Sequence, residues 1–201
     1  MEDRETASAA RDKMLMGLLA NDGDVEAFRE LVERWDRRVF AFLVKGCGNA
    51  DDALDLRQEV FLRVYRYGGT YDADYAFSTW LFRIATNVLR TWQAKQRRCP
   101  ATASIETARA SAERIPDGRI GPRITTERTE TLTRVWQRIE LLPPEDRELL
   151  LLRLQQEFSY REIGQLRGQP ESTVKSQFYA VLARLRTALA EPERPIGSVD
   201  A

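Results

Sequence analysis

Two polar constellations in this chain of 201 residues could act on a partner, and their chemistry is contact, not bond breaking. The first comprises Ser172, Lys175, Ser176 and Tyr179, with Arg184 and Arg186 further along at helical spacing. Hydroxyls and cations at the start of a helix can meet base edges and phosphates in a DNA major groove. The second is a stripe, Arg83, Asn87, Arg90, Ala94 and Arg97, at alternating steps of four and three, just after a loop holding Tyr71 and Tyr75. Cations beside aromatic rings suit a single strand of nucleic acid, the charges meeting phosphates and the rings meeting bases. Taken alone, either stripe also fits a plain helical hairpin with a solvated face.

Composition excludes much else. There is no histidine, so the commonest general base and metal ligand is missing. No Gly-rich phosphate loop, no nucleophile beside a base and no metal cluster is legible, so neither a catalytic role nor a cofactor is expected. Cys47 and Cys99 are the only cysteines and read as free thiols. No apolar run approaches the roughly 20 residues that span a bilayer, and the first residues lack a signal peptide's apolar core; a cytoplasmic protein without membrane insertion is expected. Formal charge balances at 31 against 31, but the signs are segregated. Arg83, Arg90, Lys95, Arg97 and Arg98 form a basic stretch, whereas Asp51, Asp52, Asp55 and Glu59 gather on another segment. Such segregation points to two partners of different sign.

The elements that must position these residues are helices. Met14 to Leu19 is a short apolar cluster, read as a frayed first helix within an N-terminal extension, 1–23. Asp24 N-caps a long amphipathic helix through Phe28, Leu31, Trp35, Val39 and Phe42. Asn49 starts a second, with Asp51 and Asp52 in the first turn, where the helix dipole favours acids. After Gly68-Gly69, a third runs through Phe77, Leu81, Ile84, Val88 and Trp92. Residues 99–127, with Pro100, Pro116 and Pro122, read as a linker. Helices resume at 127–142 and from Pro144. Ser159 and Glu162 form a capping box, Gly168 ends that helix, and Pro170 opens the next. The tail, 190–201, reads as disordered. No strand pattern is present. The expected fold is all-α: two small helical domains, 24–98 and 128–189, joined by a flexible linker that lets them sit apart, the second with a helix-turn-helix.

Two motif sets carry a family resemblance. Asp52-Ala53-Leu54-Asp55-Leu56-Arg57-Gln58-Glu59-Val60-Phe61-Leu62-Arg63-Val64-Tyr65 and Phe77-Ser78-Thr79-Trp80-Leu81-Phe82-Arg83-Ile84-Ala85-Thr86-Asn87 are the first. Leu142-Pro143-Pro144-Glu145, Ser159-Tyr160-Arg161-Glu162-Ile163-Gly164 and Ser172-Thr173-Val174-Lys175-Ser176 are the second. In this order and spacing the chain resembles the bacterial extracytoplasmic-function (ECF) sigma factors of the sigma-70 family. The resemblance implies that Asp55, Gln58, Glu59, Leu62 and Arg63 dock on core RNA polymerase. It implies that Tyr71, Tyr75, Trp80, Arg83, Asn87 and Arg90 capture the single strand of a promoter −10 element. It implies that Ser172, Thr173, Lys175, Ser176, Tyr179 and Arg184 read the −35 duplex, and that an anti-sigma factor is a further partner. Relatives often carry aspartate, arginine, arginine and a basic residue where this chain has Thr91, Ala94, Gln177 and Ala180. A one-component helix-turn-helix regulator, which would bind duplex alone, and a helical adaptor are the competing readings.

Overall fold

The computed structural model describes residues 2–98 and 134–190, all positions below being among these. Every regular element in them is helical. Four helices make the first unit: α1 (Glu2–Asp22), α2 (Val25–Cys47), α3 (Ala50–Tyr67) and α4 (Phe77–Arg98), with a single 3₁₀ turn, Gly68–Thr70, after α3. The second unit holds α5 (134–140), α6 (Pro144–Leu150), α7 (Tyr160–Arg167) and α8 (Glu171–Ala190). The expected linker and almost all of the expected tail lie outside the described residues.

Local signals set the helix ends as expected. Asp24 accepts from the amides of Glu26 and Ala27 at 2.8 and 3.0 Å, and Asn49 does the same for Asp51 and Asp52 at 2.8 and 3.2 Å. Each cap is worth about 1 kcal/mol. In the capping box, Ser159 Oγ accepts from the Glu162 amide at 3.2 Å while the Glu162 carboxylate accepts from the Ser159 amide at 2.8 Å. Pro143 precedes α6 in extended conformation and Pro144 takes its first turn, where a missing N–H costs nothing.

The N-terminal residues differ from the expectation of a frayed extension. α1 is 21 residues long and packs on α2, α4 and the 3₁₀ turn, with Leu15, Met16 and Leu19 buried. Its hold is polar as well as apolar. Asp12, only 3% exposed, accepts from Arg34 Nε at 2.7 Å, and Arg34 also reaches Ser8 Oγ at 2.7 Å. Around this helix the first core closes with Leu31, Phe42, Val60, Leu81 and Phe82, all buried.

Cys47, at the end of α2, donates to the Asn49 carbonyl at 3.1 Å. Burial raises its thiol pKa to about 11, partly offset by that hydrogen bond, so the sulfur stays protonated at neutral pH.

The second unit is built round a tight turn. Gly168 adopts φ +66 and its amide bonds Gly164 O. The Gln169 amide donates to the same carbonyl at 2.9 Å. A Cβ at Gly164 would sit 2.6 Å from Gln169 O, a backbone atom that cannot swing away. Gly164→Ala is therefore expected to destabilise the helix-turn-helix by about 1–3 kcal/mol, the usual penalty of overpacking. A fall in thermal midpoint, measured by circular dichroism, checks it.

Two features were not anticipated. α6 does not run on regularly: Leu151–Gln155 is a π turn, with the Gln156 amide bonded to Leu151 O at 3.1 Å. Glu157 then takes φ 62, a left-handed conformation unusual for a residue with a Cβ. Together they swing Phe158 out of the helix and against Phe82 of α4, ring centroids 5.4 Å apart. The second feature is that contact itself. The two units are in van der Waals and ionic contact here, not held apart as the tether reading expected.

Candidate nucleic-acid interface

The outer face of α3 is an acidic and apolar strip. Asp55, Gln58 and Leu62 are exposed, at steps of three and four that place them on one side. Glu59 and Arg63 lie alongside, half-buried and paired at 2.6 Å. Sequence reasoning missed two neighbours of this strip, Leu54 and Tyr65, which are 38% and 46% exposed. Exposed large apolar side chains beside carboxylates suit a protein partner.

The loop after α3 is an ordered aromatic turn. Gly68 is buried, where an added Cβ would touch Leu19 and Met16 of α1. Tyr71 donates its hydroxyl to Tyr75 O at 2.8 Å, and its ring meets Phe77 and Trp80 edge-on at 6.0 and 5.6 Å. Desolvation first, then nearby Asp12 and Asp72, raise the Tyr71 pKa, so the phenol stays neutral. Tyr71 and Trp80 are thus half-buried wall, whereas Tyr75 is 49% exposed. Trp80 packs against the apolar cluster.

On α4, Arg83 and Asn87 are exposed one turn apart, in the turns that follow Trp80. Thr91 folds its hydroxyl back to Asn87 O at 2.8 Å. Arg90, the next member of the stripe, is engaged: its Nε and Nη2 donate to Glu148 of α6 at 2.7 and 2.8 Å. The stripe that spacing made continuous is therefore divided into an open part and a paired part.

The same division runs along α8. Ser172, Lys175, Ser176 and Tyr179 are exposed at its N-terminal half, with Thr173 half-buried. Ser176 donates its hydroxyl back to the preceding turn, to Ser172 O at 2.8 Å and Thr173 O at 3.1 Å. Arg184 instead pairs with Asp146 at 2.8 Å, turned toward the start of α6. Gln177 accepts from Arg167 at 3.3 Å. Beneath this face Val174, Phe178, Val181 and Leu185 are buried. An exposed helix start with hydroxyls, a lysine and a tyrosine, seated on a rigid turn, has the shape of a major-groove reader. No group of metal-binding side chains occurs among the described residues.

Residues 31–99 match the family model of Sigma-70 region 2, and residues 132–185 match that of Sigma-70, region 4. The chain is 31% identical over 179 residues to the ECF RNA polymerase sigma-E factor of Escherichia coli K12, covering 87% of this chain and 90% of that one. This chain belongs to the ECF sigma factors. It is also 29% identical over 173 residues to the ECF RNA polymerase sigma factor SigW of Bacillus subtilis, covering 84% and 92%. In fold it is similar to CnrH in a complex with the cytosolic domain of CnrY, with TM-score 0.62 and 22% identity over 89% of this chain and 97% of that one. The sigma factor RpoE of Bartonella quintana, solved with the anti-sigma factor NepR, gives the same TM-score, 0.62, at 19% identity, covering 84% of this chain and all of that one. As an ECF sigma factor the chain is an alternative sigma factor that directs transcription initiation, and it is not an enzyme. No helix of the described residues is long and apolar enough to cross a membrane.

Proposed function

We propose that the labour of this sigma factor is divided among three surfaces. The α3 strip of Asp55, Gln58, Glu59, Leu62 and Arg63 docks on core RNA polymerase. The aromatic turn and the open part of the α4 stripe, Tyr71, Tyr75, Trp80, Arg83 and Asn87, take the −10 single strand, Arg90 joining them when released from Glu148. The N-terminal half of α8, Ser172, Thr173, Lys175, Ser176 and Tyr179, reads the −35 duplex; Arg184 joins it only after leaving Asp146. In this reading the units that carry these roles are 24–98 and 128–189, residues 1–23 are part of the first unit, and the work is done in the cytoplasm.

The observation that carries this is the separation of chemistries. The acidic and apolar strip, the aromatic turn with its cations, and the hydroxyl-lined helix start lie on different helices, each exposed where a partner must reach. A ring wall beside an exposed amide suits one extruded base, whose unstacking costs a few kcal/mol. A regulator that binds duplex alone would use α8 and leave the other two surfaces without a role. An anti-sigma factor is the further partner, since the structural neighbour RpoE of Bartonella quintana was solved with one.

The test is transcription. Core polymerase mixed with this protein is expected to initiate on genomic promoter fragments that core alone ignores, with permanganate-reactive thymines near −10. Binding to duplex without any gain in initiation would return the assignment to the regulator class.

A further inference from the structure

We infer that Glu148 acts as an internal substitute for a DNA phosphate, latching the second unit onto Arg90 and thereby coupling strand binding to separation of the two units. The inference rests on the proposed role of the α4 stripe in binding the strand. Arg90 gives two parallel hydrogen bonds to one carboxylate, the geometry in which a guanidinium also takes phosphate. The side chain of Glu148 is 3% exposed, and its Oε1 is shared with Arg167 Nε at 3.1 Å. One buried carboxylate therefore joins an arginine of each unit. Arg90 cannot satisfy Glu148 and a strand phosphate at once.

The rest of the contact fits a closure that opens. Phe158 is swung onto Phe82 by the π turn and the left-handed Glu157, a locally unfavourable backbone. Arg38 of α2 donates to the side chain and to the carbonyl of Gln156 at 3.2 and 3.3 Å. Arg147 reaches Gly46 O at 3.4 Å across the contact, yet its Nε is buried without a hydrogen-bond partner among the described residues. Beside the Phe82–Phe158 rings, the contact carries the Arg90–Glu148 ion pair, three arginine hydrogen bonds to neutral groups and an unsatisfied donor, a mixed character found between domains that move. When the units part, Glu148 keeps Arg167 and gains water, so opening leaves no isolated buried charge. By reciprocity, whatever favours the open form raises strand affinity, and strand binding favours the open form.

The experiment uses the full chain. Glu148→Gln keeps the shape and removes the charge. Arg38→Ala weakens the contact far from the stripe; Arg38 is exposed but also lies over the Trp35 ring at 4.8 Å, so circular dichroism checks the fold of this variant too. Small-angle X-ray scattering reads the radius of gyration. Anisotropy reads binding of a fluorescein-labelled, random-sequence single-stranded oligodeoxynucleotide. Both variants are expected to expand, and strand affinity to rise on the order of tenfold for Glu148→Gln and about threefold for Arg38→Ala, within the usual span of coupled sites. Unchanged radii overturn the latch. Expansion without a gain in affinity overturns the coupling. If circular dichroism finds Glu148→Gln misfolded, Arg38→Ala decides alone. Arg83→Ala judges the underlying reading separately: Arg83 is exposed and outside the contact, so its loss should weaken strand binding whether or not a latch exists.

Discussion

The Asp55→Arg, Glu59→Arg double variant should lose association with core polymerase by at least about thirtyfold while its helix content stays unchanged. Asp55 is exposed on α3 beside Leu62, and Glu59 meets only Arg63 of its own helix, at 2.6 Å. An exposed i,i+4 pair contributes only about 0.3–0.5 kcal/mol, so the fold does not depend on it. In the proposed interface the same charges would face a partner surface of opposite sign, and reversing two of them would cost about 2 kcal/mol or more. At 1.4 kcal/mol per tenfold, that is the stated loss. Leu62→Ala should add to it, because a 48% exposed leucine leaves about half its surface to be covered by a partner. Co-purification of the double variant with core enzyme at the wild-type level would remove α3 from the polymerase interface.

What was legible in the sequence was local. Asp24, Asn49 and the pair Ser159 and Glu162 announced helix starts because a cap is a contact over two or three residues, and Gly168 announced a stop for the same reason. The exposure of Asn87, Lys175 and Tyr179 followed from helical period once the apolar faces were set. The N-terminal helix was misjudged because its anchor is long-range. Leu15, Met16 and Leu19 make a narrow apolar patch, and Asp12 finds Arg34 on another helix. Nothing within α1 says that an aspartate is buried. The pairing of Arg90 and Arg184 was illegible for the same reason. Their spacing matches that of the open cations, and only the fold brings Glu148 and Asp146 to them. The π turn and the left-handed Glu157 carry no local signal, since glutamate has no preference for either. They follow from the demand that Phe158 be buried against Phe82.

Asn87→Ala and Lys175→Ala should separate melting from duplex reading. Asn87 is exposed on α4, one turn after Arg83 and two turns after Trp80. An amide makes hydrogen bonds to a base edge that alanine cannot replace, worth about 1–3 kcal/mol where geometry is good. Those bonds form only once the base has left the stack. Asn87→Ala is therefore expected to lower open-complex formation by about ten- to a hundredfold, even on templates already held through the −35 element. Lys175 stands at the exposed start of α8, over the rigid turn set by Gly164 and Gly168. In the proposed division its ammonium would meet duplex before any strand separation. Lys175→Ala should weaken closed-complex binding several-fold and reduce the salt slope by about one if the contact is to phosphate. On a template with a pre-melted −10 bubble the two variants should part: the Lys175 loss is largely bypassed, whereas the Asn87 loss persists in strand capture. Permanganate reactivity of promoter thymines, read on duplex and bubble templates for both variants, gives the comparison directly. Normal melting by Asn87→Ala together with equal failure of Lys175→Ala on both templates would reverse the allocation. It would leave α8, not α4, as the element that opens DNA.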